Sequence, residues 1–177
     1  MAITSRRSQR GQSVVEFVIA TPVLILLLLG AFNTGVMISD KVIAGAACRQ
    51  GARLAAEIGG QITNPLLTMN QVDQNIVKNV IAVASAMNYS TLSTITIYAP
   101  LNADGDFHPG DYYNQYNPAG TLIAGGSFTL ARRIQVPPDE TSIGVRLDWS
   151  YVPPTGFQSF TINLNEHAVM KASPVLV

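Results

Sequence analysis

From Phe17 to Ser39 the chain carries no charge, and Val23-Leu24-Ile25-Leu26-Leu27-Leu28-Leu29 fill the middle of the run. A helix crossing a bilayer needs about 20 mostly apolar residues at a rise of about 1.5 Å each. A run apolar on every side has no wet face to offer a soluble surface. The pattern therefore predicts a transmembrane helix over residues 12–38. Pro22 lies inside it and removes one internal hydrogen bond, so a softened turn is expected there. Past Ser39 the apolar positions narrow to a stripe: Val42, Ile43, Ala46, Ala47, Gly51, Leu54, Ala55 and Ile58 recur at spacings of three and four. Asp40, Lys41, Arg49, Arg53 and Glu57 are left for the wetter face. Gly59-Gly60 ends the stripe. The expected product is one helix from Val14 to residue 58, about 65 Å long.

A polar link with Asn64-Pro65 leads to a second amphipathic stripe (Val72, Ile76, Val77, Val80, Ile81, Ala84, Met87), predicting a helix over Asn70–Asn88. Asn70 is its expected cap, and Asp73 suits its first turn. The period then changes to two. Ile95 and Ile97 alternate with threonines in a short strand. A polar loop runs from Asn102 to Pro118, and Phe128, Leu130 and Ile134 mark another strand with Arg132-Arg133 outward. Pro137-Pro138 breaks that run. Ile143, Val145, Leu147, Trp149 and Tyr151 then alternate strictly with Gly144, Arg146, Asp148 and Ser150, the clearest half-buried strand in the chain. Pro153-Pro154-Thr155-Gly156 turns it into a last strand from Phe160 to Lys171. Short connections favour antiparallel pairing. The fold class is α+β: a long helix and a second helix on about four antiparallel strands, with residues 39–177 as the outer domain.

Charge orients the anchor. Arg6, Arg7 and Arg10 precede the span, whereas Asp40 and Lys41 follow it as an opposed pair. Arginine excess on the short side holds the N-terminus in the cytoplasm and sends the domain outside. A cleaved signal peptide would need an apolar region of about 7–15 residues, but here the pattern continues past Gly30-Ala31 through Phe32, Val36 and Ile38. Glu16 is the anomaly, because an acid near lipid costs free energy. At headgroup level or in the first helical turn it is tolerated. If the chain were cut after Gly11, the new ammonium of Gln12 would lie close to it.

Arg10-Gly11-Gln12-Ser13-Val14-Val15-Glu16-Phe17 resembles the processing site of type IV pilin-like proteins. Pro22, the leucine run ending at Gly30, and Ala46-Ala47-Cys48-Arg49-Gln50-Gly51-Ala52-Arg53 narrow the resemblance to the TadE-like pseudopilins of the tight-adherence (Flp) pilus. Asn33 stands where that family commonly has an acid, and Val36 where it commonly has an arginine. The resemblance implies a leader (1–11) removed by a prepilin peptidase between Gly11 and Gln12. It assigns assembly roles to Glu16, Phe17 and Pro22, and a signature to Arg49, Gly51 and Arg53. Its implied partners are other pilins or pseudopilins through the N-terminal helix, the peptidase, the inner-membrane platform of the pilus and the lipid bilayer. The implied location is the cytoplasmic membrane of a bacterium or archaeon, with extraction into a surface pilus.

The remaining chemistry is sparse. Over 177 residues the formal net charge is zero, which leaves no nucleic-acid footprint. No nucleophile–base pair, phosphate-binding glycine loop or cysteine–histidine cluster suggests an enzyme. Asn102, Asp104, Asp106 and Asp111 around Gly105 and Gly110 make calcium a candidate ligand, against the commoner reading as Asx turns; the spacing misses the helix–loop–helix calcium pattern. His108 and His167 stand apart from any ligand pattern. Cys48, the single cysteine, is expected to act as a small hydrophobe. Tyr112, Tyr113 and Tyr116 offer either a contact surface or pins for their own loop. Small residues at 45–47, 51 and 52 fit close approach to a neighbouring subunit or to the domain's own sheet equally well. The alternative to the pilus reading is a single-pass anchored domain that binds a ligand or partner.

Overall fold

A computed structural model describes residues 6–58, 68–134, 141–156 and 160–172, with side chains from Gln12 onward. The first helix, α1, spans Arg6–Ile58 as 53 residues of unbroken α-helix, about 80 Å long. It starts before the expected Val14, since Gly11 alone does not halt it, and it runs through Pro22. Its first half is bare: Phe17, Ile19, Leu24 and Leu27 are each more than half exposed. Its second half is packed, with Ala44, Ala47, Cys48, Ala52 and Ala55 completely buried. The glycine pair at 59–60, the Asn64-Pro65 link and Pro137-Pro138 lie outside the described residues.

The second helix, α2, spans Met69–Ala84. Thr68 caps it, not Asn70: the threonine hydroxyl accepts from Gln71 N, and the Gln71 side chain accepts from Thr68 N, a reciprocal capping box. The helix also ends earlier than Asn88. Asp40 of α1 takes the amides of Asn88 and Tyr89 at 3.2 Å each and the Ser90 hydroxyl at 2.6 Å, which pulls the chain into the next strand. Asp40 is therefore fully buried, contrary to its expected place on the wet face. Three donors satisfy the carboxylate, as burial of a charge requires.

Five strands form one antiparallel sheet, one more than expected: β1 (Ser90–Ala99), β2 (Tyr112–Tyr116), β3 (Leu122–Gly125), β4 (Ser142–Tyr151) and β5 (Ile162–Lys171), in the order β3-β2-β1-β4-β5. The Ile95/Ile97 segment is longer than its short alternation suggested and is the central strand. Tyr112–Tyr116 belongs to the sheet and not to a loop, in register with β1 from Ile95↔Tyr116 to Ala99↔Tyr112. The expected strand through Phe128, Leu130 and Ile134 is absent; Leu130–Arg132 is a short 3₁₀ helix.

Both helices cover one sheet face, α1 over β4 and β5. Ile95 and Ile97, Val145, Leu147, Trp149 and Tyr151 are buried in this interlayer core. The loop after β1 folds over the other face. There Tyr98 and Phe107 meet edge to face at 5.5 Å, Phe107 and Tyr113 at 5.1 Å, and the Tyr98 hydroxyl donates to Gly105 O at 2.7 Å. Gly144 belongs to this arrangement: a Cβ there would lie 2.4 Å from the Tyr98 ring. That explains a glycine in the best-patterned strand of the chain.

The small residues of α1 serve its own domain. A Cβ on Gly51 would stand 2.4 Å from Val80 Cγ2 of α2 and 3.3 Å from Val145 Cγ1 of β4, so only glycine lets the three elements meet. Overpacking costs about 1–3 kcal/mol, more than the helix propensity of up to about 1 kcal/mol that alanine restores. Gly51→Ala is therefore expected to lower the urea midpoint and to lose less when Val80 is also alanine. Equal losses in the two backgrounds would contradict the contact.

Candidate assembly site on the N-terminal helix

The residues assigned to processing and assembly occupy the bare first half of α1. Gly11 and Gln12 lie within helix, one turn before Glu16, and the Gln12 side chain donates from Nε2 to Glu16 Oε1 at 3.1 Å. Residues four apart share a helix face. The carboxylate therefore points toward position 12 and already accepts a hydrogen bond from it. Phe17 is 70 % exposed. Thr21 donates to Phe17 O at 2.6 Å, a side-chain bond to the carbonyl four residues back, just before Pro22. An unbroken apolar surface follows, without a covering layer: no part of the most apolar stretch is buried by protein.

The signature residues divide between two tasks. Gly51 faces inward at the α1–α2–β4 junction. Arg49 and Arg53 are exposed and line a shallow groove with Glu57 and Asn79, and Arg53 Nε pairs with Glu57 at 2.9 Å. Just before Arg49, Cys48 is completely buried and donates from Sγ to Glu166 O at 3.1 Å. Burial pushes its thiol up to about 12, so it stays protonated and inert at neutral pH. This is the small-hydrophobe role.

The loop acids serve the loop itself. Asp111 accepts from Leu101 N at 3.1 Å and His108 N at 2.9 Å, and Asp104 accepts from Asp106 N at 3.1 Å. Asp106 also meets Arg146 at 3.4 Å, while Asn102 is exposed near the loop's start. His108 and His167 contact Asp104 and Asp106 at 3.3 and 3.6 Å. Among the described residues no group of three or more His, Cys, Asp or Glu has the arrangement of a metal site. The tyrosines act as pins: Arg132 stacks 3.8 Å over Tyr112, Tyr113 joins the Phe107 cluster, and the Tyr116 hydroxyl donates to Asp73 at 2.7 Å. Burial, followed by the Asp73 carboxylate, drives the Tyr116 pKa upward.

That last contact opens onto a network invisible in the sequence. Asp73 and Arg133 are both completely buried. Arg133 clasps Asp73 through two nitrogens at 2.6 and 3.0 Å, and Asn114 Nδ2 adds a third donor at 2.8 Å. Arg133 also donates to Phe128 O at 3.2 Å and lies 4.5 Å from the Phe128 ring centroid. The expectation of an outward Arg133 is thus overturned, and Asp73, expected in the first turn of α2, lies beyond that turn and is buried. Their mutual charge and the surrounding donors compensate for the desolvation. A second missed feature is Asn33, whose Nδ2 donates to Thr155 Oγ1 at 2.9 Å and whose carbonyl accepts from the Tyr151 hydroxyl at 2.8 Å.

A bare apolar helix rooted in a small antiparallel α+β domain fits the class of single-pass membrane-anchored proteins. Within that class, residues 11–53 match the family described as TadE-like protein, in agreement with the resemblance carried by the processing motif and the signature. No curated protein and no solved structure matches the chain.

Proposed function

We propose that this protein is a pseudopilin-like structural subunit for assembly of the tight-adherence (Flp) pilus, cut between Gly11 and Gln12 by a prepilin peptidase. The observation that carries this reading is the TadE-like match over residues 11–53, which spans the Gly11 junction, the anchor and the arginine–glycine signature together. In this reading the arginine-rich leader stays cytoplasmic and the α+β domain lies outside. Removal of the leader leaves an ammonium on Gln12, one helical turn from Glu16. The bare half of α1 then packs against other pilin helices as the subunit leaves the membrane for the pilus platform. Its role is structural and not enzymatic.

The second reading is a single-pass anchored accessory domain unrelated to pili. It draws on the bare apolar helix and the antiparallel α+β domain, which suit any single-pass anchored protein. Gly11→Phe separates the two. The peptidase reading predicts an uncut precursor, heavier by the leader on immunoblots of membranes, and a loss of pili. A Gly11→Phe protein that runs at the same size as the parent, in a strain with normal pili, would favour the accessory domain.

A further inference from the structure

The anchor is shorter than its composition suggests. The uncharged run ends at Ser39, yet the domain already grips the helix at Asn33 through Thr155 and Tyr151. Val36 and Met37 pack against the core, and Asp40 is buried beneath residues 88–90. The helix clear of the domain and free of charge runs from Phe17 to Phe32, about 16 residues or about 24 Å at helical rise. A hydrocarbon core is about 30 Å thick. In the membrane-resident subunit the difference has to be met by thinning the bilayer, by drawing Glu16 into lipid, or by lowering the domain. Drawing an acid into lipid is costly.

The lower rim of the domain has the composition for the third route. Tyr89 is 45 % exposed, Val152 50 % and Phe160 44 %. All three lie at the end of the sheet that meets Asn33. Val152 N donates to Tyr89 O at 3.1 Å, Tyr89 N is held by Asp40, and the Tyr151↔Ile162 pairing puts Phe160 just past the same sheet end. The amphipathic ring of a tyrosine favours the membrane–water boundary, and Val152 and Phe160 set exposed apolar surface beside it. The opposite end of the sheet, by contrast, is about 30 Å away along β1 and carries the polar loop of Asp104 and Asp106.

We propose that the rim formed by Tyr89, Val152 and Phe160 rests in the outer interfacial layer of the bilayer, so that the folded domain as well as the helix binds lipid. This rests on the membrane-anchor reading, and the test tells the two apart. The full-length chain is reconstituted in phosphatidylcholine–phosphatidylglycerol vesicles with an environment-sensitive fluorophore on single introduced cysteines. Val152→Cys and Phe160→Cys report the rim, Leu101→Cys the opposite end, and Leu26→Cys the anchor. The unsubstituted chain gives the background from buried Cys48. Nitroxide lipids labelled near the headgroup should quench the two rim probes about threefold more than the Leu101 probe, as interfacial residence requires. Nitroxides at mid-chain should quench the Leu26 probe. If Leu26 is quenched while the rim probes behave like Leu101, the domain stands clear of the lipid and the proposal falls with the anchor intact. If Leu26 itself escapes quenching, the anchor reading fails and the proposal fails with it.

Discussion

Replacing Asp73 with alanine is expected to cost the domain about 3–5 kcal/mol, the range for breaking a buried ion pair by deleting one partner. The loss is large because it is not one bond. Arg133 would keep its charge at zero exposure with only Phe128 O as an acceptor, while the Tyr116 hydroxyl and Asn114 amide would each lose the same carboxylate. Small domains have about 5–15 kcal/mol in total, so the variant should be marginal. Trp149 is the single tryptophan and is 1 % exposed, which makes its fluorescence a direct report of core opening during urea unfolding in detergent. Deleting both charges, as Asp73→Leu with Arg133→Met, should be much less damaging than Asp73→Ala, because no orphaned charge remains. A single variant as stable as the parent would show that the pair does not hold α2 to the sheet.

The second large effect concerns assembly and not folding. Glu16→Ala should leave membrane insertion intact, since removing an acid from the edge of an apolar helix lowers the cost of insertion. It should nevertheless reduce piliation about tenfold or more, because the ammonium on Gln12 would lose its counter-charge in a low-dielectric setting where about 1.4 kcal/mol is already a factor of ten. Glu16→Asp keeps the charge and should retain part of the function. Membrane fractionation and pilus counts from the same cells separate the two outcomes. Normal pili in Glu16→Ala would detach this residue from assembly.

The anchor and β4 were legible because each is a local pattern: one run apolar on every side, one strict alternation. The buried charges Asp40, Asp73 and Arg133 were not, because their reasons are remote. Asp40 beside Lys41 reads as a surface pair until residues 88–90 arrive with three donors. Arg132-Arg133 reads as a solvated step until Asp73, 60 residues earlier, is folded against the second of them. Strand β2 hid for a related cause. Its inward positions are Asn114 and Tyr116, polar groups that are buried because Asp73 and Phe128 receive their hydrogen bonds. Even Gly51 of α1, which suited a neighbouring subunit just as well, turns out to accommodate Val80 and Val145.

The entire assembly account depends on the chemistry of one peptide bond, between Gly11 and Gln12. The most direct measurement is the N-terminal residue of the protein recovered from native membranes, by sequencing or by mass of the N-terminal peptide. The account predicts Gln12 with a free amine, one turn from Glu16. Met1, with the arginine-bearing leader intact in a strain that makes normal pili, would contradict it.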